Sequence, residues 1–416
     1  MAVIVQKYGG TSVGDTEKIK NVAARVVQAR KAGYDTVVVV SALGKTTDEL
    51  VKMAYSLSDS PSEREIDVLM ATGEQISVAL LAMAIHSLGY EAISFTGPQI
   101  GILTDGSYTR AKIVDIDPKK IQEQLSLGRI VIVAGFQGVS RNADITTLGR
   151  GGSDLTAIAM GAVLESEVVE IYTDVEGVYT ADPRVVKEAR KLPVISYDEM
   201  LEMSSLGAQV MQARSVELAK RFNVPIHVRS SAGAGAGTLI REEARSMENI
   251  VVRGVTSNKK EAKVTIFGIP DEPGIAAKIF KKLAAENVNV DMIVQGVGEE
   301  HKSDISFTVV EEDLVRTQKV VGKIVKEMGA RDSSADSDVA KVSVVGLGMR
   351  SHSGIAAKMF QALAAEGINI DMISTSEIKI SCIIKRSHSD RAVRALHKKF
   401  GLGKQGRARK KKDEKG

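Results

Sequence analysis

The chain has 416 residues, with 56 Lys plus Arg against 52 Asp plus Glu and a net charge of +4. Its 44% hydrophobic and 26% charged fractions are those of a folded globular protein, which excludes bulk disorder, and at ~150 residues per domain the length suggests two or three domains. A single cysteine, Cys382, excludes a disulfide framework and a Cys-based zinc site. No uninterrupted apolar run reaches the ~18 residues of a membrane span, and the N-terminus lacks a signal peptide's basic start and apolar block, so a reducing cytoplasm is the expected compartment. The basicity is local. Residues 404–416, KQGRARKKKDEKG, hold seven basic and two acidic side chains, and the remaining 49 basic and 50 acidic residues leave −1. With 4% aromatics and no basic-aromatic interleaving, this tail reads as a solvated, disordered terminus rather than a nucleic-acid contact.

The first 240 residues alternate strand and helix patterns. Ala2–Val5 is a short apolar strand. Ile19, Val22, Ala23, Val26 and Val27 recur at helical spacing, with Gly33 placed to end the helix. Thr36–Val40 is a continuous apolar strand, suited to burial on both faces. Thr46 and Glu49 form a capping-box pattern ahead of Leu50, Met53 and Ala54. Further strands are predicted at Glu91–Phe95, Ile130–Ala134 and Val168–Thr173, and helices through Ile76–Ser87, Asp154–Leu164 and Tyr197–Phe222. This alternation predicts an α/β domain with a largely parallel sheet. SAGAGAGT at 231–238 breaks the composition, and a charged stretch, Arg241–Met247, follows it.

The remainder contains an internal repeat. Residues 262–293 match residues 340–373, at an offset of 78 that becomes 80, sharing Gly-Ile-Ala-Ala-Lys, Leu-Ala-Ala-Glu and Asn-(Val/Ile)-Asp-Met-Ile. Each unit reads strand, turn, helix, strand, then strands such as Asp304–Val310 or Lys379–Ile384. Two copies do not make a solenoid; they predict a pair of small α/β modules.

Three segments carry chemistry. Lys7-Tyr8-Gly9-Gly10-Thr11-Ser12 lies between a strand and a helix, where glycines let backbone N–H groups approach an anion and Lys7 adds charge. It lacks the Walker A spacing. Thr146–Asp154, TTLGRGGSD, occupies a similar junction; Arg150 suits a carboxylate, while Ser153 and Asp154 are also ordinary N-cap residues. Tyr172–Arg184 places acids, tyrosines and an arginine in one loop after a strand, the position at which open α/β sheets bind ligands. No set of residues has metal-ligand spacing. The six histidines and 14 methionines read mostly as surface or core fillers, and Met247 as an ordinary methionine or an internal start.

Taken in order, Lys7–Val13, Ser41-Ala42-Leu43-Gly44, Thr72-Gly73-Glu74, TTLGRGGSD at 146–154 and YTADPR at 179–184 resemble the aspartokinases of the amino-acid kinase superfamily. The repeat resembles their paired ACT regulatory domains, so the likeness spans about residues 2–403. It implies an amino-acid kinase fold, a largely parallel central sheet sandwiched by helices, plus two small α+β ACT domains. The implied organisation is a catalytic domain at 1–243, a linker at 244–260, ACT domains at 261–336 and 337–403, and the tail.

The resemblance also implies roles. Lys7 would stabilise charge in transfer, oriented by Asp154. Lys7, Tyr8, Gly9, Gly10, Ser41, Thr173, Asp174, Tyr179, Asp182 and Arg184 would bind ATP. Thr47, Glu74, Arg150, Gly151, Gly152 and Ser153 would bind aspartate, with Arg150 on its α-carboxylate and Glu74 near its ammonium. Magnesium would be carried mainly by the ATP phosphates and waters. Gln209 stands where the family commonly has a lysine on the ATP phosphates, which predicts weaker ATP binding than in a Gln209→Lys variant. In the first ACT domain Asp271, Gly274, Ile275, Ala276, Asn289, Asp291, Met292, Ile293 and Gln295 would bind an effector. In the second, His352, Gly354, Ile355, Asn369 and Asp371 would do so. The effectors implied are lysine, threonine or both. The assembly implied is a homo-oligomer, or an α/β hetero-oligomer, through the ACT domains. The implied reaction feeds lysine (through diaminopimelate), threonine and methionine synthesis. Two rivals stay open. One is a catalytically weak regulatory chain that binds amino acids, which Lys7, Arg150 and Asp154 oppose. The other is a kinase of a related amino acid such as glutamate, which GRGGSD and the repeat oppose.

Overall fold

A computed structural model describes residues 1–205, 210–233, 235–242, 251–297, 301–350 and 352–403. Gln209, Met247 and the basic tail lie outside the described residues. The chain forms two compact units. The first contains Met1–Val178, Lys191–Ser205 and the chain onward from residue 210 to residue 242; the second contains Tyr179–Arg190 and the described residues beyond 250.

In the first unit the strands are β1 (Val3–Tyr8), β2 (Asp35–Val40), β3 (Ala92–Phe95), β4 (Ile102–Thr104), β5 (Ile113–Ile116), β6 (Ile130–Ala134), β7 (Gln137–Ser140), β8 (Ile145–Thr147), β9 (Val168–Thr173), β10 (Val194–Ile195), β11 (Ile226–Ser230) and β12 (Thr238–Ile240). The helices are α1 (Thr16–Lys31), α2 (Thr46–Leu57), α3 (Glu63–His86), α4 (Lys119–Ser126), α5 (Gly152–Val163), α6 (Tyr197–Ser205) and α7 (Ala213–Phe222). Eight strands form one sheet in the order β10-β12-β11-β9-β1-β2-β6-β3, parallel throughout except for the β11–β12 pair. The expected parallel sheet is therefore present. Its centre is apolar on both faces: Val37–Val40 and Ile130–Ala134 are fully buried.

β1 runs on to Tyr8, beyond the apolar residues that signalled it, because the central sheet buries Gln6 as well. The stripe Ile19, Val22, Ala23, Val26 and Val27 is the buried face of α1, and Gly33 follows it at φ +94°. The pattern expected as one helix over Tyr197–Phe222 is divided between α6 and α7. The capping box does not form. Thr46 is already inside α2, its hydroxyl donates to the Leu43 carbonyl at 2.7 Å, and the N-cap is Lys45. A second, four-stranded sheet, β5-β4-β7-β8, went unpredicted because its strands are only three or four residues long. Glu63–His86 has the length and mean hydropathy, 1.7, of a membrane span. It carries two buried carboxylates, Asp67 and Glu74, and packs its apolar side into this unit, as a core helix does.

The second unit is built from β13 (Gly254–Pro270), α8 (Ile275–Ala285), β14 (Ile293–Val297), β15 (Lys302–Val310), α9 (Leu314–Met328), β16 (Asp332–Val345), α10 (Ile355–Ala365), β17 (Met372–Thr375), β18 (Lys379–Lys385) and α11 (Ser389–Lys399). The repeat is thus strand-helix-strand-strand-helix, twice. The copies are not separate sheets: six strands join in the order β14-β15-β13-β16-β18-β17. Gly254–Asn258, expected in a linker, pairs with Lys341–Val345, so β13 and β16 each serve both modules. Residues 179–190, expected in the catalytic domain, supply Ala181, Val186 and Ala189 to the second unit's core.

Candidate active site

A cleft of about 620 Å³ opens in the first unit. β1 ends at its edge and delivers Lys7, whose Nζ lies 2.6 Å from Asp154 Oδ1 with both side chains nearly buried. Beyond the strand the chain turns through Gly9 and Gly10. A Cβ on Gly10 would stand 2.7 Å from the Ala42 carbonyl oxygen, so glycine is required where this turn passes the loop after β2. The Gly44 N–H donates to the Gly10 carbonyl at 3.0 Å and locks the two turns together.

The opposite wall is the start of α5. Its N-cap is Gly151, at φ +73° and without a side-chain cap. Ser153 and Asp154, which also read as cap residues, sit inside the first turn instead. The uncapped turn leaves the N–H groups of Ser153 and Asp154 for an anion, the Gly152 N–H being taken by the Gly149 carbonyl at 2.9 Å, and the helix dipole favours negative charge there. Arg150 is exposed on the same loop and lines the cleft.

Glu74 comes from the middle of α3 and is 2% exposed. Its Oε1 accepts the Ala42 N–H at 3.1 Å, while Oε2 is buried with no partner among the described residues. Burial lifts its pKa from an ordinary 4.5 to about 7. Ser41 and Thr47 also line the cleft. The cleft therefore holds a cation ready for phosphate, an arginine ready for a carboxylate and a carboxylate lacking a cation.

Other expected residues lie elsewhere. The Tyr8 side chain stacks on Tyr172, centroids 4.7 Å apart, in the core, so only its main chain reaches the turn. Thr173 ends β9 and donates to Asp174 at 3.1 Å. Tyr179, Asp182 and Arg184 belong to the second unit, where the Arg184 guanidinium grips Asp182 at 2.8–3.1 Å and holds its carboxyl below the usual range.

In the repeat, Gly274 and Gly354 take the same left-handed conformation, φ +91° and +88°, as N-caps of α8 and α10. Ile275 and Ile355 turn into the core just after them. Met292 is core as well, packed with Met372, Val339 and Ile383. Asp291 is paired with the Lys341 ammonium. The His352 ring meets the Gly348 carbonyl at 2.9 Å, and Asn369 lies beside Asp371 at 3.5 Å.

Sequence reading missed two supports of the site. Asp67 is a carboxylate on the buried side of α3, and its signal was an acid adjoining the apolar positions Ile66 and Met70. Arg214 donates to the carbonyls of Leu148, at 2.9 Å, and Ala111, at 2.7 Å; nothing in its local sequence marked it.

Residues 2–230 match the amino acid kinase family, and residues 263–327 and 342–400 each match the ACT domain. The chain is 52% identical over 403 residues to an aspartate kinase of Stutzerimonas stutzeri (strain A1501), covering 97% of this chain and 98% of that one. It is 51% identical to an aspartokinase of Mycolicibacterium smegmatis, covering 97% of each. E. coli aspartokinase III in complex with lysine and aspartate (T-state) superposes with a TM-score of 0.74 at 25% identity, over 96% of this chain and 99% of that one. The same enzyme in complex with aspartate and ADP (R-state) shares the fold, at a TM-score of 0.81 and 24% identity over 95% and 99%.

Proposed function

The chain belongs to the amino acid kinase family as an aspartokinase, and from that premise we propose how its first unit transfers the γ-phosphoryl group of ATP to the side-chain carboxylate of L-aspartate, giving 4-phospho-L-aspartate. One observation carries the reading: the Lys7–Asp154 pair at 2.6 Å, set between a glycine turn and an uncapped helix start.

The nucleophile has a pKa of ~3.9 and is ionised at pH 7, so the step needs no general base. The barrier is the approach of one anion to another, which calls for fixed cations and N–H donors. Lys7 places its ammonium where the transferred group gains charge, and Asp154 fixes the direction of that ammonium. Gly10 presents its N–H to the phosphate oxygens, the Gly9 N–H being held by the Tyr172 carbonyl at 3.3 Å, and the first turn of α5 presents N–H donors to aspartate. Arg150 takes the α-carboxylate in a two-bond grip. Glu74 takes the α-ammonium, a role supported by its partnerless Oε2 and raised pKa. Among the described residues no three His, Cys, Asp or Glu gather to hold a metal; on this reading magnesium would be carried mainly by the ATP phosphates and waters. Bound so, magnesium would neutralise phosphate charge. The nucleotide roles of Thr173, Asp174, Tyr179, Asp182 and Arg184 rest on the family resemblance.

Feedback belongs to the repeated modules. The matching turns at Gly274 and Gly354, and the lysine bound by E. coli aspartokinase III, support inhibition by lysine, threonine or both. The effector shifts the population between active and inhibited arrangements. The product leads toward lysine, threonine and methionine, and the reading is of a cytoplasmic oligomer joined through the ACT modules.

The test is hydroxylamine trapping of aspartyl phosphate from aspartate and ATP, with glutamate as the rival acceptor and with millimolar lysine or threonine added. Aspartate-specific product, lost in Lys7→Met and suppressed by an effector, is expected. No product from folded protein overturns the proposed transfer, and product indifferent to both effectors removes the regulatory half.

A further inference from the structure

Asp67 is 0% exposed, yet it touches no cation among the described residues; its carboxylate is surrounded by donors from the loop at Thr109 and from the end of β8 at Thr147. The Thr109 N–H donates to both oxygens, at 3.1 and 2.9 Å. The Thr147 N–H donates at 2.9 Å and its hydroxyl at 2.6 Å. Three donors, making four contacts, replace the water that a buried carboxylate loses.

Thr109 stands at φ +63°, a conformation that β-branched residues rarely adopt and one of order 1–3 kcal/mol in strain. The surrounding bonds over-determine it. Thr109 also lines the cleft, and its carbonyl oxygen would lie 3.0 Å from a Cβ on Gly149. The two backbones are therefore in close approach one residue before Arg150. The Ala111 N–H donates to the Thr147 carbonyl at 2.9 Å, and Arg214 clasps the carbonyls of Ala111 and Leu148. A rigid chain of contacts runs from Asp67 through Thr109 and Thr147 to Gly149 and Arg150.

We infer that Asp67 is a positioning residue for the amino-acid substrate: by bonding Thr109 and Thr147 at once it sets the loop that aims Arg150 into the cleft. It takes no part in nucleotide binding, since Lys7, Gly9 and Gly10 are held by other bonds. The inference rests on the reading that Arg150 holds aspartate.

The experiment measures KM for aspartate and for ATP in Asp67→Asn, Thr147→Val, Thr147→Ser and Arg150→Ala. Asn cannot accept as the carboxylate does, and its amide faces N–H donors. It should raise KM for aspartate by about tenfold or more, as small misplacements near a reacting group do, with KM for ATP within about twofold. Thr147→Val removes only the 2.6 Å bond and should move KM for aspartate the same way by less, and Thr147→Ser should restore it. Coupling predicts that the double Asp67→Asn/Thr147→Val variant is no worse than Asp67→Asn alone. A merely structural role would lower thermal stability without this split between the two KM values. If Asp67→Asn does not fold, the Val and Ser variants decide. Arg150→Ala separates the two layers: if it leaves KM for aspartate unchanged, the substrate reading fails. If it raises that KM while both Asp67→Asn and Thr147→Val leave it alone, the positioning role fails.

Discussion

At the scale of single residues, Glu74 gives the site its pH dependence. Its pKa near 7 means that it holds a proton at pH 6 and has lost it at pH 8. On the proposed contact with the substrate ammonium the ionised form is the one that binds, so aspartate binding should strengthen as pH rises through 7. KM for aspartate should fall several-fold between pH 6 and 8, and Glu74→Gln should flatten that slope while raising KM throughout. A slope of equal steepness in both proteins would assign the titration to another group. Stability runs in the opposite direction. The folded state keeps this proton between pH 4.5 and 7 while the unfolded chain releases it, so stability falls across that window, by about 3 kcal/mol from this group. Denaturation in urea at pH 5 and pH 8 should show Glu74→Gln gaining on the wild type at the higher pH. Which residues formed the site was legible where glycine, lysine and arginine occurred at a strand-to-helix turn. Asp67 was not, because a buried acid looks like any helix-surface acid until the loops that donate to it are known.

At the scale of elements, the strand-helix alternation was readable because the sheet is buried on both faces and its strands are continuous apolar runs. α5 shows a limit: Ser153 and Asp154 have the chemistry of caps, but Gly151, two residues before Ser153, can adopt φ +73° and the helix starts from it. The sharing of β13 and β16 between two modules was likewise hidden, since periodicity marks a strand and not its partners. One feature of that shared sheet went unread. Lys341 sits in a buried run, Val339–Val345, and is 3% exposed; its ammonium lies 2.7 Å from the equally buried Glu261 and also pairs with Asp291. Asn258 adds a bond to Glu261 at 2.9 Å. Lys341→Met leaves Glu261 charged and dry, and should destabilise the protein by about 3–5 kcal/mol. Glu261→Leu/Lys341→Met removes both charges and should recover most of that loss, because the half-exposed Asp291 can return to water. Urea denaturation of the three proteins measures it. A single variant within ~1 kcal/mol of the wild type would mean that water already reaches the pair.

At the scale of the whole molecule, the order of segments along the chain is not the order of the two units. The sequence placed residues 1–243 in one domain because the strand-helix alternation continues to that point. Residues 179–190 nevertheless leave the first unit, and the reason is visible in their side chains: Ala181, Val186 and Ala189 are each 3% exposed, in a core completed by Val342, Val344, Met359 and Leu396. The segment is tied as well as packed. Thr180 exchanges backbone bonds with Arg190 and Val255, and its hydroxyl meets the buried His397 ring at 2.9 Å. Ala189 bridges to Gly403. A chain ended after residue 242 would therefore carry a catalytic-looking sequence with one loop stripped of its partners and three apolar side chains in water. That truncated chain should show aspartyl-phosphate formation reduced at least tenfold and faster proteolysis within 179–190, whereas a chain ended after Gly403 should keep wild-type activity. The paired measurement separates two ideas of what the repeated modules do. If the 1–242 chain phosphorylated aspartate at full rate and resisted cleavage in that loop, the modules would be a detachable sensor. If it fails as expected, the second unit is part of what makes residues 179–190 a defined structure, and the proposed feedback would act on a unit that the loop's own fold requires.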